Sequence, residues 1–171
     1  MIFKEYKSLF ENKLSEYQPY VDLDGVLADF EGDFRKKFGT GPGDLDDDVM
    51  WKLIASDKTF WRNMTPTKDF LKLWNWLKDE EPVILSSTAN QPGAEEGKKL
   101  WVKKYLGDVR LITVHSGKEK AIYASPWTIL IDDWEENIRD WRASNGIGIL
   151  HNSADNTIKQ LEQLTKIQKI A

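Results

Sequence analysis

Short apolar strands alternating with amphipathic helices predict a three-layer α/β fold, with a mostly parallel sheet covered on both faces. Three observations carry this expectation. First, five segments read as strands: about 20–24, 82–85, 109–114, 128–131 and 146–150. Second, helical patterns fall between them, and 171 residues suffice for one domain with a real core. Third, Asp22, Asp24, Ser86, Asp132 and Asp133 fall at the carboxyl ends of strands one, two and four. Folds of this kind bind ligands at that edge.

The elements follow in order. Residues 3–16 carry Phe3, Tyr6, Phe10 and Leu14 on one helical face. That face packs on the core, or joins two copies into a homodimer. Pro19 stops the helix and opens strand one. Residues 26–38 read as a helix with Val26, Phe30, Phe34 and Phe38 at four-residue spacing. Gly39-Thr40-Gly41-Pro42-Gly43 breaks it, and the acids from Asp44 to Asp48 suit the start of another helix. Residues 31–63 are expected to form a small helical insertion, leaving 1–30 and 64–171 as the α/β core. Residues 67–78 place Phe70, Leu73, Trp74 and Leu77 inward, Gln91-Pro92-Gly93 breaks the chain, and a helix is expected to follow through about residue 106. Ser116 to Tyr123 is a short helix or turn, 134–144 is helical, and 154–169 closes the chain with Ile158, Leu161, Leu164 and Ile167.

The bulk composition excludes several classes. Hydrophobic residues make up 40% and charged residues 30%, as in ordinary soluble domains. No apolar run is long enough to span a bilayer, and the first residues show no secretory pattern. The absence of cysteine removes disulfides, thiolate metal sites and a cysteine nucleophile, in keeping with a cytoplasmic setting. A net charge of −4 argues against duplex nucleic acid as a partner but is compatible with a small nucleotide. The two histidines, His115 and His151, are expected to be structural.

The densest chemistry lies in Tyr20-Val21-Asp22-Leu23-Asp24-Gly25-Val26-Leu27-Ala28-Asp29-Phe30. A buried strand ends in two acids and then turns on Gly25. Burying two carboxylates without a counter-cation is costly, and Mg²⁺ prefers oxygen ligands. This stretch resembles motif I of the haloacid dehalogenase superfamily of phosphohydrolases. Residues 22–32 look most like the 5′(3′)-deoxyribonucleotidases. The resemblance implies a Rossmann-like core with a substrate-selecting cap after motif I. It implies Asp22 as nucleophile, forming an aspartyl-phosphate, and Asp24 as general acid and base. Mg²⁺ would be held by Asp22, by Asp24 and by the Asp132-Asp133 pair, with Asp133 favoured.

Ser86 matches the small hydroxyl of motif II, where threonine is common, and Ser87 offers a second donor. Lys120 is preferred over Lys118 as the lysine that balances the anions. Phe30 matches an aromatic that lies against the nucleobase, and Trp61 is a further pocket candidate, with Trp51 and Phe60. The expected activity is hydrolysis of deoxyribonucleoside monophosphates. The alternatives are another small phosphate ester, a 3′-phosphate at a nucleic-acid end, or a non-catalytic binding module.

Overall fold

The computed structural model describes residues 14–168. The expected N-terminal helix therefore lies outside the described residues except for its last turn, where Leu14 is buried. Five strands form one parallel sheet: β1 (Gln18–Val21), β2 (Val83–Ser87), β3 (Leu111–Val114), β4 (Thr128–Asp132) and β5 (Ile147–Leu150). Their order is β3-β2-β1-β4-β5, which puts β1 at the centre. Tyr20 pairs with Val83 and Leu130, and Val21 with Ile84 and Ile131. The ladder runs one residue further, since the Asp22 amide donates to the Ile131 carbonyl at 2.9 Å.

Seven α-helices accompany the sheet among the described residues: α1 (Phe30–Phe38), α2 (Asp47–Ala55), α3 (Phe60–Asn63), α4 (Phe70–Leu77), α5 (Ala94–Tyr105), α6 (Glu135–Ala143) and α7 (Ala154–Gln168). Side chains alternate faces along a strand, and the core divides accordingly. Val21, Ile84, Ile129, Ile131 and Ile149 face one cluster with residues of α1 to α5 and α7. Leu85, Val114 and Leu130 face the other, with Ile138 and Trp141 of α6. Three layers result, as expected. Among the described residues no helix is long and apolar enough to cross a membrane.

The largest departure from the expected elements is at the end of β1. The strand stops at Val21, and α1 begins at Phe30 rather than at residue 26. The intervening backbone closes on itself. Leu27 and Ala28 amides donate to the Leu23 carbonyl at 2.9 and 2.8 Å, and Gly25 donates to Ala28 at 2.8 Å. Gly25 makes this possible with φ of +75°, a left-handed conformation that side chains disfavour. The loop is stitched to the chain entering α4, through Asp29 N to Thr65 O and Thr67 N to Leu27 O. Leu23, Val26, Leu27 and Ala28 are all fully buried by it. The apolar spacing that suggests a helix from Val26 reflects this packed loop instead.

The segment between β1 and α4 packs its aromatics together. Phe30 stacks on Trp61 with centroids 5.9 Å apart, and Phe34 meets Phe38 at 4.7 Å. Phe34, Met50, Ile54, Phe60 and Trp61 join the same continuous core as the sheet. Helix α3 lies against α5 at Gly97, where an added Cβ would stand 2.6 Å from the Trp61 Cβ and 3.2 Å from the Arg62 amide nitrogen.

This contact gives a prediction of unusual sign. Replacing glycine by alanine within a helix ordinarily stabilises by ~1 kcal/mol. Gly97→Ala is expected to destabilise by about 1–3 kcal/mol, because the added methyl must push two backbones apart. A urea denaturation series comparing the variant with wild type measures it.

Candidate active site

The carboxyl ends of β1, β2 and β4 bring the predicted residues together. Asp22 follows β1, Asp132 closes β4, and Ser86 is the fourth residue of β2. Asp22, Asp132 and Asp133 each offer one oxygen, and these lie within 4.8 Å of one another. Oxygen ligands of a single Mg²⁺ stand ~3–4 Å apart, so the three carboxylates would have to draw together to share one ion. Asp22, Asp24 and Asp132 pair with two buried ammonium groups, Lys98 and Lys120, whereas Asp133 has no ion pair among the described residues. The donor set is entirely oxygen, which suits Mg²⁺.

Lys120 is the inner counter-ion. It is 1% exposed, and its Nζ lies 2.9 Å from Asp22 and 2.6 Å from Asp132. Burial alone would lower its proton affinity, but Asp22 and Asp132 outweigh burial and hold it above the ordinary lysine range. It is delivered by the 3₁₀ turn Gly117–Tyr123. Lys118, on the same turn, is exposed and has no ion pair among the described residues. Asp132 is fully committed. Its Oδ1 accepts from the Trp134 amide at 2.9 Å, and Asn137 donates to both of its oxygens at 3.1 and 3.0 Å.

Asp133 is the exposed member of the pair. Its carboxylate leans over Gly25, where any Cβ would overlap it. Desolvation of that carboxylate, together with the charges of Asp22 and Asp132, raises Asp133 to about 7. The residue as a whole remains exposed. Burial is the leading cause that raises Asp132, and Asp22 adds to it.

Asp24 is buried at its carboxylate and lifted above the ordinary range, by desolvation first and despite Lys98. Lys98 donates to Asp24 Oδ2 at 2.5 Å and to Ser86 Oγ at 2.9 Å. Asp24 Oδ1 has no hydrogen-bond partner among the described residues. Ser86 is fully buried. The Ser87 hydroxyl instead donates to the His115 carbonyl at 3.1 Å and accepts from Ala89 N, which ties it into the turn after β2. That turn is tight, with φ of 48° at Ala89 and 53° at Asn90.

The two aromatic candidates are placed differently. Phe30 is half-buried at the start of α1. Trp61 is 2% exposed, enclosed by Phe30, Phe60 and the Lys98 ammonium, which lies 4.7 Å from its ring centroid. Its ring has almost no surface left for a ligand. His151 is buried with Nδ1 2.8 Å from Thr157 Oγ1, a structural role as expected.

Sequence reasoning missed Lys98 and Asn137. Lys98 had a signal. It sits in the inward stripe of α5 with Ala94, Gly97, Trp101 and Val102, where a charge needs a partner. Asn137 had none beyond its place in the first turn of α6.

No protein-family model matches the chain, and no curated protein matches it. Among solved structures, it is similar to a HAD hydrolase of family IA, variant 3, from Entamoeba histolytica, at 11% identity and a TM-score of 0.48. The alignment covers 88% of this chain and 99% of that one. It is similar also to a hydrolase from Streptococcus pneumoniae, at 15% identity and a TM-score of 0.46, with coverage of 88% and 99%.

The raised acids give a pH prediction. In the metal-free protein Asp133 keeps its proton to about pH 7, whereas in the unfolded chain it ionises near the ordinary 3.8. The folded state holds the extra proton between those values, so stability falls as pH rises through that window. A cation on the carboxylates removes this loss. Excess MgCl₂ is therefore expected to raise Tm little at about pH 5 and clearly at about pH 8. Asp133→Asn is expected to shrink both the pH slope and the Mg²⁺ shift, read by thermal melts with and without the ion.

Proposed function

We propose that this chain is a Mg²⁺-dependent phosphomonoesterase of the haloacid dehalogenase type, acting on deoxyribonucleoside monophosphates. The observation that supports it best is the convergence of Asp22 with Asp132 and Asp133, three carboxylate oxygens within 4.8 Å, with Lys120 between the first two. A fold needing only stability has no use for such an arrangement. Buried ion pairs seldom stabilise more than apolar packing of the same volume.

In this reading Asp22 attacks phosphorus. The bond to the leaving oxygen breaks, and Asp24 gives that oxygen a proton. The elevation of Asp24 by burial suits a group that must start protonated. Asp24 then takes a proton from water as the water attacks the aspartyl-phosphate. Inorganic phosphate leaves, and Asp22 is restored. Lys120 and the buried Ser86 hydroxyl supply positive charge and a donor for the phosphoryl oxygens. Mg²⁺, when bound by Asp22 and Asp133 with Asp132 behind them, would offset the repulsion between nucleophile and phosphate.

The substrate class rests on Phe30 and on the motif around it. Base stacking on an exposed aromatic is worth ~1–3 kcal/mol, enough to favour nucleotides over sugar phosphates. Of the two aromatic candidates, Phe30 keeps surface to offer and Trp61 serves as its backing. The buried Asp24 Oδ1, lacking a partner among the described residues, disfavours a silent binding module.

A phosphate-release screen tests the reading, with Mg²⁺ present and then chelated. It is expected to give turnover on deoxyribonucleoside monophosphates, less on sugar phosphates and 3′-phosphorylated oligonucleotides, and none after chelation. Asp22→Asn is expected to cost on the order of 10⁴-fold or more in kcat with the fold retained. Near-normal activity in that variant refutes the nucleophile assignment.

A further inference from the structure

Lys98 is a buried charge that the mechanism above does not use. It lies on the inward stripe of α5 and is fully buried. Its ammonium gathers partners from three separate elements: Asp24 Oδ2 at 2.5 Å from the loop after β1, Ser86 Oγ at 2.9 Å from β2, and the Trp61 ring at 4.7 Å from α3. An apolar side chain of similar volume would fill the same space without the cost of desolvating a charge. The position therefore asks for a purpose beyond packing.

The asymmetry of Asp24 supplies one. Oδ2 accepts a hydrogen bond from Lys98, while Oδ1 is buried and has no hydrogen-bond partner among the described residues. A carboxylate pinned at one oxygen cannot rotate freely, and only the other oxygen can hold a transferable proton. We infer that Lys98 is a positioning residue, fixing Asp24 so that Oδ1 is the atom that protonates the leaving oxygen. The inference rests on the roles proposed above for Asp22 and Asp24. Through the same ammonium, Ser86 is kept in register with that proton.

The step balances. As the Asp22 oxygen bonds to phosphorus, the bond from phosphorus to the leaving oxygen breaks. The electron pair left on that oxygen takes the proton of Asp24 Oδ1. Asp24 becomes a carboxylate with Oδ2 still on Lys98. In the second half, water attacks phosphorus and returns a proton to Oδ1, and the bond from phosphorus to Asp22 breaks.

A leaving-group comparison tests the assignment. With Mg²⁺ present, wild type and Lys98→Met are assayed on 4-nitrophenyl phosphate, whose leaving anion needs no proton, and on thymidine 5′-monophosphate, whose alkoxide does. General acid catalysis contributes ~10²–10⁴-fold, so Lys98→Met is expected to lose ~100-fold in kcat on the nucleotide and less than about 5-fold on the aryl ester. KM should change little, and Lys98→Arg should recover part of the loss. Thermal melting checks the fold, and Lys98→Gln replaces Lys98→Met if the latter does not melt cooperatively. Equal losses on both esters overturn the positioning role, as does unchanged turnover of the nucleotide. Wild type inactive on both esters overturns the roles of Asp22 and Asp24, and the assignment of Lys98 with them.

Discussion

Carboxylates at the ends of two neighbouring central strands repel one another, and the Lys120 ammonium is what allows them to stay. Asp22 and Asp132 extend strands that are hydrogen-bonded in register, so their separation is set by the sheet. The lysine arrives from outside the sheet, on the 3₁₀ turn Gly117–Tyr123. The turn in its path is fitted to α6 at Gly117, where a side chain would collide with Asn137. Asn137 in turn holds Asp132. Strand pairing, the turn and the first coil of α6 thus converge on one ion pair. Breaking one partner of such a buried pair ordinarily costs 3–5 kcal/mol, because the other charge is stranded.

Around this pair the acids are under-compensated by design of the chain. Lys98 and Lys120 are both inside, and neither is free to follow solvent. The remaining negative charge lies toward Asp133, the exposed end of the group. That gradient, from paired interior to acidic mouth, would give an incoming cation a place.

Much of this was legible in the chain because strand ends are punctuated strongly. Asp22, Ser86 and Asp132 stand where apolar β-branched runs stop, and the parallel sheet then brings those ends side by side. The start of α1 was not legible, because the loop after β1 buries Val26 and Leu27 as thoroughly as a helix face would. Periodicity reports burial, and here burial comes from a closed turn around Gly25. Lys98 was overlooked for a different reason. Lysine is usually solvated, and its place in an apolar stripe becomes meaningful only when the acid across the fold is known. Trp61 shows the converse, since a tryptophan beside a site signals packing as readily as contact.

The seam between α3 and α5 bears on how far those two helices can part. Gly97 brings the two backbones together with no side chain between them, and Trp61 shares its ring with the Lys98 ammonium just beneath. A joint so close has no slack for hinging. Separating the two helices would also pull the Trp61 ring off the Lys98 ammonium that holds Asp24.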